Sequence, residues 1–194
     1  MKHRVVITGM GVVAPNAVGL DNFLEAIQQG RSGITFHQKL QDLKFSCCIG
    51  GIPPVSEEIK NKYLTPLQLR GFDSAGILYG CIAGMDAWKD AGFVIDKNSP
   101  IDYNSGMVFG TGTSGIEKFR EAIYKLDDQK VKRLGSTVVV QTMASGISAY
   151  LGGILGMGNQ VTTNSSACTT GTERSEEHTA ELQSLAYLVC RLLL

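Results

Sequence analysis

No sign of charge prevails in this 194-residue chain: 18 Lys and Arg are balanced by 18 Asp and Glu, scattered rather than blocked. Such a surface carries no electrostatic footprint for nucleic acid or an anionic membrane, so small molecules and other proteins are the expected partners. Long apolar runs are missing as well. At the N-terminus only Val5, Val6 and Ile7 precede Thr8-Gly9, far short of a signal-peptide core, and a cytoplasmic location is the expectation. The apolar C-terminal run 185–194 is too short to span a bilayer and is interrupted by Arg191. Cysteines occur at 47, 48, 81, 168 and 190, an odd set without metal-knuckle or redox spacing. The adjacent Cys47 and Cys48 would face opposite ways in a strand, no metal is implied, and a reducing compartment fits. Histidine is scarce too, at positions 3, 37 and 178.

What the chain has in quantity is glycine, 23 residues, gathered at the ends of apolar runs where a backbone turns tightly or approaches a neighbour. Glycine-rich turns between strand and helix point to an α/β protein, and the length suits one domain or part of a larger one. Arg4–Thr8 reads as a first strand, turned by Gly9-Met10-Gly11. Pro15, and the want of a third glycine in register, argue against a dinucleotide fingerprint there. Leu20–Gln29 reads as a helix capped by Asp21, with Phe23, Leu24 and Ile27 on one face and Gly30 at its end. Residues 31–65 hold Gly33, Gly50-Gly51 and Pro53-Pro54 between short apolar pieces, an elaborated connection whose length suggests a lid or a subunit contact.

From Thr65, with Pro66 in the first helical position, one long helix is expected to reach Ala91 and to be closed by Gly92. Its Leu69, Phe72, Ala75, Leu78, Tyr79, Ile82, Met85 and Trp88 recur at three and four residues. Gly76, Gly80 and Gly84 among them cost helix propensity, which close backbone packing would offset. A buried central helix is the consequence, with Met85 and Trp88 as core residues.

Gly106–Phe109 reads as the next strand and runs into Gly110-Thr111-Gly112-Thr113-Ser114-Gly115 and a helix over Ile116–Leu126. This is a GxGxxG between strand and helix, with Asp127 and Asp128 near the distance of a ribose-binding acid. Those acids end a helix beside Lys130, Lys132 and Arg133 rather than a second strand. The turn is therefore read either as a dinucleotide or phosphate site using Gly110, Gly112 and Gly115, or as a loop passing close to another backbone or ligand. Thr137–Gln141 is a short β-branched run. Met143-Ala144-Ser145-Gly146 opens a small-residue helix through Ile147, Tyr150, Leu151 and Ile154 to Gly156, and Asn159–Ser165 is the third strand.

That strand delivers Ser166-Ala167-Cys168-Thr169-Thr170-Gly171. Residues this small make a tight turn into a helix. A cysteine at a helix start meets free N–H groups and the positive end of the dipole, which favour a thiolate and can hold an oxyanion. Cys168 is thus a candidate nucleophile, the other reading being an ordinary buried cysteine. A nucleophilic thiol needs a base or electrostatic partner within reach, usually histidine. His3 precedes the first strand, His37 sits in the long connection, and His178 would lie about 15 Å along a continuous helix and about 80° around it from Cys168. None is well placed.

Five blocks in order carry a resemblance: Val6-Ile7-Thr8-Gly9-Met10-Gly11-Val12-Val13, Gly30-Arg31-Ser32-Gly33-Ile34, Gly110-Thr111-Gly112, Met143-Ala144-Ser145-Gly146 and Ser166-Ala167-Cys168-Thr169-Thr170-Gly171. Over about residues 3–172 the chain resembles the N-terminal half of a bacterial β-ketoacyl-acyl carrier protein synthase, a type I or II condensing enzyme of fatty-acid synthesis. The resemblance implies a thiolase-like α/β fold, the N-terminal half of a layered α-β-α-β-α architecture, working as a homodimer. It implies that Cys168 accepts an acyl chain from a carrier-protein thioester, with its own backbone N–H as one oxyanion donor. Thr113 would line or gate the acyl pocket, and Met143 would sit near that pocket and the dimer interface. A malonyl thioester is then decarboxylated and its carbanion attacks the acyl enzyme.

The implied partners are acyl carrier protein and acyl and malonyl thioesters, with no cofactor, metal, nucleic acid or membrane. Alternatives are a polyketide-type ketosynthase, a non-catalytic chain-length partner, or a dinucleotide-binding oxidoreductase. The family's two catalytic histidines, its lysine and its glycine-rich oxyanion segment belong to a C-terminal half that these residues do not include, so this chain alone is expected to be inactive. Residues 173–194, with Arg174-Ser175-Glu176-Glu177-His178 near their start, depart from the family's small-residue helix and resemble a translated sequencing adapter. The domain is accordingly expected to span 1–172.

Overall fold

The computed structural model describes residues 6–72 and 74–173. His3, His178, Cys190 and the tail from 174 onward lie outside the described residues. A minimal antiparallel hairpin, β1 (Val13–Ala14) with β2 (Ala17–Val18), feeds α1 (Leu20–Gln28). A second antiparallel pair, β3 (Ile34–Phe36) with β4 (Ile49–Gly51), encloses the short helix α2 (Gln38–Asp42). Helices α3 (Glu57–Tyr63) and α4 (Pro66–Leu69) lead to α5 (Ala75–Asp90). There follow β5 (Met107–Gly110), α6 (Ile116–Asp127), α7 (Val138–Thr142), α8 (Gly146–Leu155) and β6 (Val161–Asn164). Strands β5 and β6 are parallel, in register from Met107↔Val161 to Gly110↔Asn164. Parallel neighbours require a crossover, and α6 to α8 provide it. The chain is α/β, as expected.

The core forms where α5 crosses α8 and α8 covers the β5–β6 pair. Ile77, Cys81, Ile82, Phe109 and Leu151 are wholly buried, and Met85 and Trp88 are buried as expected. A helix this apolar all round needs cover on several sides. The glycines of α5 supply the close approach: a Cβ at Gly84 would overlap the Leu151 side chain, and one at Gly80 would come within 2.6 Å of Ile147 Cγ2 and 3.2 Å of Phe109 Cζ. Burial pushes the Cys81 thiol far above its usual range, so Cys81 is an inert core residue. At the polar edge of α5 the Tyr63 hydroxyl donates to Asp86 Oδ2 at 2.9 Å, tying α3 to α5. Burial pushes the Asp86 carboxyl up, opposed by that hydrogen bond and by Lys89 and Lys62.

Three local expectations are corrected. Residues 6–12 carry no strand. Gly9 and Gly11 instead press their backbone onto α5 at Ala83, Ala87 and Ala91, and the Met10 N–H donates to Asp90 Oδ2 at 2.8 Å. The cap of α1 is Gly19 (φ +86°), not Asp21. The chain must enter the left-handed region to leave β2, which glycine does without Cβ strain; Leu24 and Ile27 remain exposed. The single helix expected from Thr65 to Ala91 is divided into α4 and α5. Its break lies where the Gly71 carbonyl accepts the Tyr150 hydroxyl at 3.1 Å and the Phe72 ring packs 4.1 Å from that of Tyr150. Thr137–Gln141, a β-branched run by composition, is helical as α7, because packing under α6 and α8 overrides a weak propensity. The connection 31–65 contains the β3–β4 arm and α3.

The α5–α8 crossing yields opposite signs for two glycine substitutions. Gly84→Ala is expected to lower stability by about 1 kcal/mol, because overpacking outweighs the roughly 1 kcal/mol alanine gains in helix propensity. Gly153→Ala, in α8 with nothing within 4 Å of the added Cβ, should raise stability by up to about 1 kcal/mol. Urea unfolding of the two variants reads both signs.

Candidate active site

Strand β6 hands the chain to the candidate nucleophile through a hydrogen-bonded turn. The Asn164 carbonyl accepts the Thr111 N–H at 3.1 Å, so pairing continues one residue past β5. The Ser166 N–H then donates to the Thr170 hydroxyl at 2.7 Å, and the Thr169 hydroxyl donates to the Ser166 carbonyl at 2.8 Å. These bonds close a 3-10 turn over Ala167–Thr169, continued as helix over 170–173. Ala167 sits at φ +50°, a left-handed conformation that costs a residue bearing a Cβ about 1–2 kcal/mol. It swings the chain just ahead of the cysteine. Cys168 is exposed on this turn, in contrast to buried Cys81.

A carboxylate that sequence reasoning did not single out lies at the same turn. Asn164 Nδ2 donates to Glu173 Oε2 at 2.8 Å, and Thr169 Oγ1 lies 2.9 Å from Glu173 Oε1. Donors from Ser166, Asn164 and Thr169 hold the Glu173 carboxyl below the usual carboxylate range. The only prior signal was a Glu five residues after the cysteine. Its partners become neighbours only when the turn forms.

The glycine loop bridges this turn and α7. At one end a Cβ on Gly110 would overlap the Thr170 methyl, and the Ser165 hydroxyl reaches the Gly112 carbonyl at 3.4 Å. At the other end Gly115 (φ +64°) caps α6 with its backbone against the Gln141 carbonyl, and a Cβ there would lie 3.1 Å from Thr142 Cα. The Cys168 turn therefore abuts one end of the loop and the residues leading into Met143 abut the other. Thr113 is exposed within the loop, its carbonyl accepting the Thr111 hydroxyl at 3.2 Å. Met143 is exposed at the end of α7.

Gly110 and Gly115 are thus used in packing against this chain, the close-approach reading of the motif, whereas a Cβ on Gly112 would meet nothing within 4 Å. Among the described residues, the hydroxyls of buried Ser74 and Ser114 have no hydrogen-bond partner. The adjacent Ala75 N–H is capped by Glu117 Oε1 at 2.9 Å.

Other sequence candidates lie elsewhere. His37 Nε2 stands 3.0 Å from the Gly50 carbonyl inside the β3–β4 arm. A cavity of about 1140 Å³ opens between α4, α5 and α8, lined by Arg70, Phe72, Lys89 and Tyr150 among others; Cys168, Thr113 and Met143 do not line it. Among the described residues no group of three or more His, Cys, Asp or Glu is placed to hold a metal, and no helix is long and apolar enough to cross a membrane.

The family model for the beta-ketoacyl synthase N-terminal domain matches residues 2–184. The chain belongs to this family. A 3-oxoacyl-[acyl-carrier-protein] synthase I, chloroplastic, of Arabidopsis thaliana is 29% identical over 183 residues, covering 87% of this chain and 35% of that protein. A 3-oxoacyl-[acyl-carrier-protein] synthase 1 of Escherichia coli is 30% identical over 154 residues, covering 76% of this chain and 36% of that protein. Among solved structures, a β-ketoacyl synthase from Burkholderia phymatum superposes with a TM-score of 0.75 at 21% identity, covering 96% of this chain and 45% of that one. The AntDE:AntF complex, a type II polyketide ketosynthase with its acyl-carrier protein, gives 0.74 at 19% identity, covering 96% of this chain and 44% of that one. These likenesses give the chain its thiolase-like α/β fold. It spans only 35% to 40% of the length of the curated relatives it matches.

The turn's own bonds are open to test. Thr170→Val preserves shape but strands the Ser166 N–H, and is expected to cost about 1–2 kcal/mol of stability, whereas Thr170→Ser should cost under about 1 kcal/mol. Thermal unfolding of the two variants separates the lost hydrogen bond from the lost methyl.

Proposed function

We propose that this chain is the nucleophile-bearing part of a β-ketoacyl-acyl carrier protein synthase, with Cys168 as the residue that takes up the acyl group. The observation that carries the reading is an exposed thiol on a strained, hydrogen-bonded turn where a parallel strand pair ends and a helix begins. In that setting the Cys168 thiolate attacks the carbonyl carbon of an acyl carrier protein thioester. The new S–C bond forms, the carrier thiolate leaves, and a proton supplied at the site neutralises it. Negative charge on the carbonyl oxygen in between is met by the Cys168 N–H, a donor that needs no reorganisation. Thr113, within the glycine loop, and Met143, beside the end of the loop opposite the Cys168 turn, line the way of the acyl chain.

In the second half-reaction a malonyl thioester loses carbon dioxide, and its carbanion attacks the acyl carbon. A C–C bond forms as the bond to Cys168 breaks, returning the thiolate. The acid–base groups for these steps belong to the remainder of the full-length enzyme, since the chain spans 35% to 40% of its relatives' length. The enzyme acts as a cytoplasmic homodimer with acyl carrier protein as its substrate carrier. Support comes from the family membership and from the relatives named as 3-oxoacyl-[acyl-carrier-protein] synthases.

Incubating the chain with an acyl thioester and mapping peptides by mass spectrometry tests the first half-reaction. A single acyl adduct on Cys168, absent from Cys168→Ala, is the expected result. No adduct, or one placed on Cys47 or Cys48 instead, contradicts intrinsic acylation at this turn.

A further inference from the structure

Besides Ser166, whose side chain also favours its charged form, Glu173 binds two side chains that lie on opposite sides of Cys168. Asn164, the last residue of β6, donates Nδ2–H to Oε2 at 2.8 Å, and Thr169, the residue after the cysteine, places Oγ1 2.9 Å from Oε1. Asn164 is fixed a second time, its Oδ1 accepting the Ser166 hydroxyl at 3.0 Å. Between these anchors lie left-handed Ala167 and Cys168 itself. An unfavourable backbone conformation persists only where its surroundings over-determine it. We propose that Glu173, one residue past the 1–172 expected from the sequence but within the 2–184 that the family model matches, is a positioning residue for Cys168: it clasps the end of β6 to the first helical turn and thereby holds the strained link that sets the direction of the thiol. The inference rests on the reading of Cys168 as the nucleophile.

Proton supply separates the shape of this clasp from its charge. Thr169 has one hydroxyl proton, and the Ser166 carbonyl at 2.8 Å competes for it with Glu173. With glutamine at 173, Oε1 accepts from Asn164 while Nε2 donates to Thr169 Oγ1, which leaves the Thr169 proton on the Ser166 carbonyl. The clasp survives and the charge is gone. Aspartate does the reverse: it keeps the charge but is one methylene short of spanning both partners. A residue acting through its charge alone would tolerate aspartate and respond to glutamine, since removing a nearby anion favours a thiolate.

The 194-residue chain and its Glu173→Gln and Glu173→Asp variants therefore discriminate. Two readouts serve: amide hydrogen exchange across 164–173, and iodoacetamide labelling of Cys168 relative to exposed Cys47 by peptide mass mapping. Glutamine is expected to exchange at the unsubstituted rate and to label Cys168 no more slowly. Aspartate is expected to exchange about tenfold faster and to label Cys168 about threefold more slowly, the size set by one or two net hydrogen bonds. Unchanged protection of α5 shows that the fold is retained. Should aspartate lose it, Glu173→Ala takes its place on the exchange readout with the same expectation.

Aspartate indistinguishable from the unsubstituted chain, or glutamine exchanging as fast as aspartate, overturns the proposal. Treating the unsubstituted chain with an acyl thioester keeps the two claims apart. The expected exchange pattern with no acyl group on Cys168 upholds the clasp and defeats the nucleophile reading alone.

Discussion

Everything at the site depends on the four-residue parallel ladder between β5 and β6. Parallel strands leave a sheet at the same end, so the glycine loop after β5 and the cysteine turn after β6 must meet there. They can meet because Gly110 has no Cβ to overlap the Thr170 methyl. The ladder is itself set from below. The hydroxyls of Ser148 in α8 and Thr163 in β6 lie 2.7 Å apart, and a Cβ at Gly152 would touch Val161 Cγ1 at 3.3 Å. Phe109, wholly buried, closes against Gly80 of α5. Position is thus transmitted from the α5–α8 crossing to the sheet, and from the sheet to Cys168.

The parts of the fold legible in the sequence are those whose boundaries are written locally. α8 ends at Gly156 because that residue takes the left-handed cap, and β5 and β6 announce themselves as short apolar or β-branched runs between glycine-rich turns. What stayed illegible is what tertiary contacts decide. Nothing local to residues 70–74 shows that Tyr150, far along the chain, will take the Gly71 carbonyl and break the helix. Nor does the β-branched composition of α7 reveal that Gly115 and Gly146 will press on its carbonyl groups. For the N-terminal segment, nothing local shows that the backbone of Gly9 and Gly11 will lie on the flank of α5.

The site divides along the same line. Cys168 stands out because small residues surround it, and it lies exposed on its turn. Thr113 and Met143 enter through resemblance alone, and both are exposed. Glu173 was invisible, since its meaning depends on partners nine and four residues earlier that only the folded turn assembles. The chain carries two cysteines of opposite character as a result. Cys81 is sealed in α5, where burial disfavours its thiolate, and Cys168 is held outward on a strained link. His37, the one histidine among the described residues, is bound up with the Gly50 carbonyl in the β3–β4 arm.

The most direct measurement is a crystal structure of the chain carrying an acyl group on Cys168. The acyl carbonyl oxygen should lie within hydrogen-bond distance of the Cys168 N–H, and the acyl chain should run past Thr113 and Met143 along the glycine loop. An acyl chain lying away from that loop, with its carbonyl oxygen turned from the Cys168 N–H, would contradict the assignment of this turn as the acyl site.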